Sequence, residues 1–113
     1  MNISISTHVL DTSIGRPAGG LEFELARQNA EGNWDVLVER ATDDDGRAGD
    51  LRADAQPPGG VFRLTFATGA YFKRMGVDTF YPQVSVEFRA SPDEHYHVPL
   101  LVSPFGYSTY RGS

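Results

Sequence analysis

The sequence predicts an all-β sandwich. Most of the chain alternates apolar and polar residues with period two, clusters of turn-forming residues separate the alternating runs, and only one short stretch looks helical. Successive side chains of a strand point to opposite faces, so this alternation marks sheets buried on one side.

The elements follow in order. Residues 3–10 (ISISTHVL) put Ile3, Ile5, Thr7 and Val9 on one face and Ser4, Ser6 and His8 on the other. Residues 21–26 alternate Leu21, Phe23 and Leu25 against Glu22 and Glu24, and residues 34–42 form a third strand. Around residues 49–53 a short extra strand is suggested, on little alternation. Residues 61–68 place Phe62, Leu64 and Phe66 together, and residues 83–89 do the same for Val84, Val86 and Phe88. Residues 95–103 (HYHVPLLVS) turn Tyr96, Val98, Leu100 and Val102 inward, and a last strand covers 106–111. Breaks are expected at residues 15–20, at the hairpin-like loop 29–33, at Asp43-Asp44-Asp45-Gly46 and at Pro57-Pro58-Gly59-Gly60. Residues 70–76 (AYFKRMG) read as about two helical turns ending at Gly76.

The 113 residues contain no repeat or linker, which points to one domain over 1–113. A net charge of -5 argues against nucleic acid and anionic membrane as partners. With no cysteine, neither a disulfide nor a thiolate metal site is available. No apolar stretch is long enough to span a bilayer, the first residues lack the pattern of a signal peptide, and Arg111-Gly112-Ser113 is not a peroxisomal address. A soluble, cytoplasmic protein is the expectation.

Three histidines could carry chemistry: His8, His95 and His97. His8 shares its face with Ser4 and Ser6, while His95 and His97 share a face opposite Tyr96, Val98 and Leu100, so His8 and His97 both project away from the core. Such a face is either plain solvent exposure or a site completed by another subunit. A His-x-His pair on a strand with a third histidine can bind zinc, but this spacing is weak evidence for a metal. The acidic run fails the helical calcium-loop template, because its twelfth position falls on Arg52 where a bidentate Glu is needed, and a solvated turn is the better reading. Ser113 has no Gly-x-Ser-x-Gly context. His95 reads as a surface residue at a strand start.

Three blocks in order carry a resemblance. Residues 6–18 (STHVLDTSIGRPA), 42–47 (TDDDGR) and 95–113 (HYHVPLLVSPFGYSTYRGS) resemble the signatures of the transthyretin-like 5-hydroxyisourate hydrolases, including the closing Tyr110-Arg111-Gly112-Ser113. Transthyretin, a hormone carrier of the same family, lacks the histidines and this tetrapeptide, with a lysine at the position of His8 and an acid at that of Arg47. The chain follows the hydrolases at each position.

The resemblance implies two four-stranded sheets with a short helix, and a homotetramer of two dimers with active sites in the channel where they meet. It implies hydrolytic ring opening of 5-hydroxyisourate to 2-oxo-4-hydroxy-4-carboxy-5-ureidoimidazoline, without metal or other cofactor. That reaction needs a base for water, a proton for the departing ring nitrogen, and positive charge beside the developing oxyanion. Imidazole suits the proton transfers, since its pKa of about 6.5 lies near working pH. A nearby guanidinium favours neutral imidazole and holds carbonyl oxygens. His8, Arg47 and His97 are thereby implied as the catalytic core, with either histidine able to act as base. Ser113 contributes its hydroxyl or its terminal carboxylate. His8, Arg47 and Tyr110 contact the substrate, and Arg111 neutralises the terminus or stabilises the tail. A non-enzymatic carrier of a small aromatic ligand is the main alternative, and a metal-dependent amidohydrolase a third reading.

Overall fold

The computed structural model describes residues 2–54, 60–92 and 94–113. Among these the strands are β1 (Asn2–Asp11), β2 (Arg16–Pro17), β3 (Glu22–Gln28), β4 (Trp34–Ala41), β5 (Arg47–Asp54), β6 (Gly60–Phe66), β7 (Val84–Ala90), β8 (His95–Ser103) and β9 (Gly106–Thr109), with one helix, α1 (Thr68–Arg74). Two sheets result. One runs β2-β1-β8-β9 with β5 also on β1, and the other runs β4-β3-β6-β7. Of the expected breaks, residues 57–59 lie outside the described residues.

The expected inward faces meet between the sheets. Ile3, Ile5, Val9, Tyr96, Val98, Leu100 and Val102 come from the first sheet. Phe23, Leu25, Phe62, Leu64, Phe66, Val84 and Val86 come from the second. Burying a side chain of this size stabilises the fold by about 1.5–3 kcal/mol, which favours registers that keep these residues inward.

Three details differ from the sequence reading. The first sheet has a fifth strand, because the chain turns at Gly15 (φ 65) and returns for two residues, pairing Leu10 with Pro17 and Asp11 with Arg16. Strand β5 is longer than the suggested 49–53 and starts at Arg47. The helix starts at Thr68, not residue 70, because Gly69 is selected there by contact: a Cβ on it would lie 2.5 Å from the Pro82 carbonyl oxygen. It ends at Arg74, two residues short of the expected end, with Gly76 just past the cap. Gly76 (φ 68) donates to the Lys73 carbonyl and Val77 to that of Phe72, which satisfies the free carbonyls of the last turn.

The helix is fastened to the histidine-bearing strand. Buried Asp11, the last residue of β1, accepts a hydrogen bond from the Tyr71 hydroxyl at 2.9 Å and another from the Ser13 amide. Burial, then the bond to Asp11, pushes the Tyr71 pKa up to about 12, so the phenol stays protonated and keeps donating.

Candidate active site

Strand pairing assembles the site. β1 runs parallel to β8, aligning Ser4 with His95 and Ser6 with His97, and antiparallel to β5, aligning His8 with Arg47. Paired positions send their side chains to the same face of a sheet. Ser4, Ser6, His8, Arg47, His95 and His97 therefore share the outer face of the first sheet. His8, Ser6 and His97 are half-buried, and His95 and Arg47 are exposed. Ser6, Thr7, His8, Arg47, Ala48, Gly49 and His97 line a shallow depression of about 330 Å³. A larger one, about 560 Å³, lies over Glu22, Glu24, Glu39 and Arg40 on the other sheet, but it offers no imidazole and is therefore poorly equipped for proton transfer at neutral pH.

The acidic run places Arg47. Asp43 Oδ1 accepts the backbone N–H groups of Asp45 and Arg47, each at 2.9 Å, closing a tight turn. Gly46 is required in that turn. Its φ is 75°, and a Cβ there would lie 2.4 Å from the Val9 carbonyl oxygen. Its own carbonyl accepts the Val9 N–H at 2.8 Å, locking the turn onto β1 one residue after His8.

His8 Nε2 lies 3.0 Å from the Asp45 carbonyl oxygen. A carbonyl only accepts, so Nε2 carries a proton and donates it to Asp45. His97 Nδ1 is hydrogen-bonded to Ser6 Oγ at 2.8 Å. Burial lowers the His97 pKa below the usual 6.5, and His8, His95 and Arg47 lower it further, against an opposing hydrogen bond to the Ser6 backbone. His97 is thus held neutral.

His95 is a surface residue at the start of β8, as expected, and it is also hydrogen-bonded. Its Nδ1 lies 2.9 Å from Ser4 Oγ and its Nε2 lies 3.1 Å from Ser6 Oγ. The two serines were visible in sequence only as neighbours of His8 on its strand face. Their partners are 89 to 91 residues away, across a parallel pairing that no local pattern announces.

The tail docks beside His97. The Gly112 N–H donates to the His97 carbonyl at 2.8 Å, forming an antiparallel bridge. Gly112 has no positive φ. Its lack of a side chain serves contact instead, since a Cβ would lie 2.6 Å from His97 Cδ2. Exposed Ser113 follows directly. Arg111 anchors the tail, with its guanidinium 4.6 Å from the Tyr96 ring centroid and 3.7 Å from Glu94. Tyr110 is exposed and lines a separate groove of about 240 Å³ with Val86, Phe88, Arg89 and Val98, away from His8, Arg47 and His97 within this chain. Among the described residues, no three of His, Cys, Asp and Glu group closely enough to hold a metal ion. No helix among them is long and apolar enough to cross a membrane.

The chain is 46% identical over 113 residues to the 5-hydroxyisourate hydrolase of Salmonella dublin, covering 99% of this chain and 82% of that protein. The structure of Klebsiella pneumoniae 5-hydroxyisourate hydrolase superposes with a TM-score of 0.83 at 36% identity, covering 97% of this chain and 93% of that one. Sea bream transthyretin in complex with thyroxine superposes with a TM-score of 0.88 at 34% identity, covering 96% and 93%. Residues 5–112 match the model of the HIUase/Transthyretin family, and the chain belongs to that family.

Proposed function

We propose that this chain hydrolyses 5-hydroxyisourate to 2-oxo-4-hydroxy-4-carboxy-5-ureidoimidazoline, a step of urate breakdown, through one catalytic domain over 1–113. One observation carries the reading: His8, Arg47 and His97 line a single depression, and His97 is held neutral beside a guanidinium. Neutral His97, with Nδ1 on Ser6, has Nε2 free to take a proton from water. The hydroxide oxygen adds to the ring carbonyl, and Arg47 stabilises the oxyanion. The C–N bond then breaks, and the nitrogen receives the proton held by His97. His8 Nδ1 accepts a substrate N–H and orients the ring. Ser113 lies one residue beyond the bridge to His97 and supplies a further polar group to this pocket. No metal or organic cofactor takes part.

The face is open to water in a single chain. We propose that a homotetramer, a dimer of dimers, closes it and brings Tyr110 of a neighbouring copy to the substrate. Sedimentation should show a tetramer; a fully active monomer would remove this part of the reading.

The carrier reading is favoured by the fold likeness to transthyretin alone. It has no use for two imidazoles and a guanidinium converging on one depression. The two separate in one experiment. 5-Hydroxyisourate is generated in situ with urate oxidase and the mixture is chromatographed. A hydrolase yields accelerated product, whereas a carrier retains the ligand unchanged.

A further inference from the structure

Ser4, His95, Ser6 and His97 form a continuous hydrogen-bonded row across β1 and β8. The contacts are 2.9 Å from Ser4 Oγ to His95 Nδ1, 3.1 Å from His95 Nε2 to Ser6 Oγ, and 2.8 Å from Ser6 Oγ to His97 Nδ1. His97, at one end, is half-buried in the depression, and His95, between the two serines, is exposed. The alternation is chemically pointed. A serine hydroxyl has one proton and spare lone pairs, so Ser6 donates to one ring while accepting from the other. The row therefore has two polarities. In one, His97 Nδ1–H donates to Ser6, Ser6 donates to His95 Nε2, and His97 Nε2 is bare. In the other every bond is reversed and His97 Nε2 carries the proton.

We propose that Ser6 and His95 are a proton relay that moves positive charge from His97 to the solvent-exposed edge of the site. The proposal rests on the reading of His97 as the group that deprotonates water. The balance is direct. A proton arrives on His97 Nε2. His97 gives its Nδ1 proton to Ser6 Oγ, and Ser6 gives its original hydroxyl proton to His95 Nε2. His97 is then a neutral imidazole bearing Nε2–H, Ser6 is again a neutral hydroxyl, and His95 is an imidazolium that hydrogen-bonds Ser4 and returns its proton to water. No charge is created, and one moves by two hydrogen bonds.

Position gives this transfer its direction. The charged groups whose fields reach His97 are His8 on β1, Arg47 on β5 and His95 on β8, and the tail lays the Gly112 backbone against it with Ser113 one residue beyond. A cation on His97 would sit half-buried against Arg47, whereas on His95 it is exposed to water. The relay leaves His97 neutral, and it runs back as Nε2 gives its proton to the departing nitrogen. Ser6 returns a proton to His97 Nδ1, His95 Nε2 returns one to Ser6, and His95 Nδ1 regains one from water, so no imidazolate forms and the row is reset. His95 and Ser6 act through His97, so they are positioning residues and not catalytic ones.

The test has an arm independent of turnover. In imidazole-labelled protein, ¹⁵N NMR titration should show His95 and His97 titrating as a coupled pair. Ser6→Ala should uncouple them and move the His95 midpoint, and Ser6→Thr, which restores the hydroxyl, should return it. An unmoved His95 midpoint in Ser6→Ala would overturn the relay. In turnover, Ser6→Ala and His95→Ala should each lose about ten- to a hundredfold, at the low end of the range for proton-transfer catalysis. The double variant should be no slower than the worse single one, because both cut the same path. Added imidazole should restore His95→Ala. Additive losses, or no rescue by imidazole, would contradict the relay and leave His95 a mere packing partner. Inactive wild-type protein with coupled histidines would instead overturn the hydrolase reading alone.

Discussion

Gly112 abuts the His97 ring so closely that a Cβ there would lie 2.6 Å from Cδ2 and 3.2 Å from Cγ. Its N–H also bonds the His97 carbonyl. The tail is thus both a strand partner and a wall for this imidazole. Gly112→Ala should push tail and ring apart. Turnover should fall about a hundredfold, the loss that follows from misplacing a reacting group by about an ångström. Tail and depression are at the surface, so the melting temperature should change little. Unchanged turnover in Gly112→Ala would show that the docked tail has no bearing on the site.

His8→Asn and His97→Asn should each lower turnover by about two to four orders of magnitude, the usual range for lost acid–base catalysis. Circular dichroism should show both variants folded, because neither side chain enters the core between the sheets. A smaller, relay-sized loss is expected at His95. Equal losses at all three histidines would contradict the division of roles between them.

The depressed His97 pKa sets the pH dependence. The base must be neutral, so kcat/KM should rise with pH through a midpoint below about 6.5 and then level off. Arg47 helps lower that pKa. Arg47→Gln should therefore shift the acidic limb to higher pH, besides weakening the enzyme. A shift to lower pH would have the wrong sign for a cation acting on a neutral base.

Much of this site was legible in sequence, for identifiable reasons. Alternation placed His8 and His97 on outward faces because Ile5, Val9, Tyr96 and Val98 fix the inward ones. Strand β5 was undersized in that reading because Arg47, Gly49, Asp50 and Arg52 interrupt any alternation, although Ala48 and Leu51 are buried in the core. Gly69 makes a close contact with Pro82 that local pattern does not announce. Gly112 likewise gives clearance for a ring. His95 looked peripheral because its serine partners arrive through long-range parallel pairing. The turn at 43–46 is solvated, as its charge suggested, and Asp43 also uses its carboxylate to hold the Arg47 backbone.

Catalysis without metal is a further expectation. Dialysis against EDTA should leave turnover unchanged, with elemental analysis finding less than one zinc per chain. Loss of activity that zinc restores in stoichiometric amount would favour a metal-dependent amidohydrolase.

The most direct measurement follows the ultraviolet decay of 5-hydroxyisourate made in situ by urate oxidase, at catalytic concentrations of this chain. The account predicts decay much faster than the spontaneous reaction, linear in protein, and reduced about a hundredfold or more in His97→Asn. Decay no faster than the spontaneous reaction, or equal acceleration by wild type and His97→Asn, would contradict it.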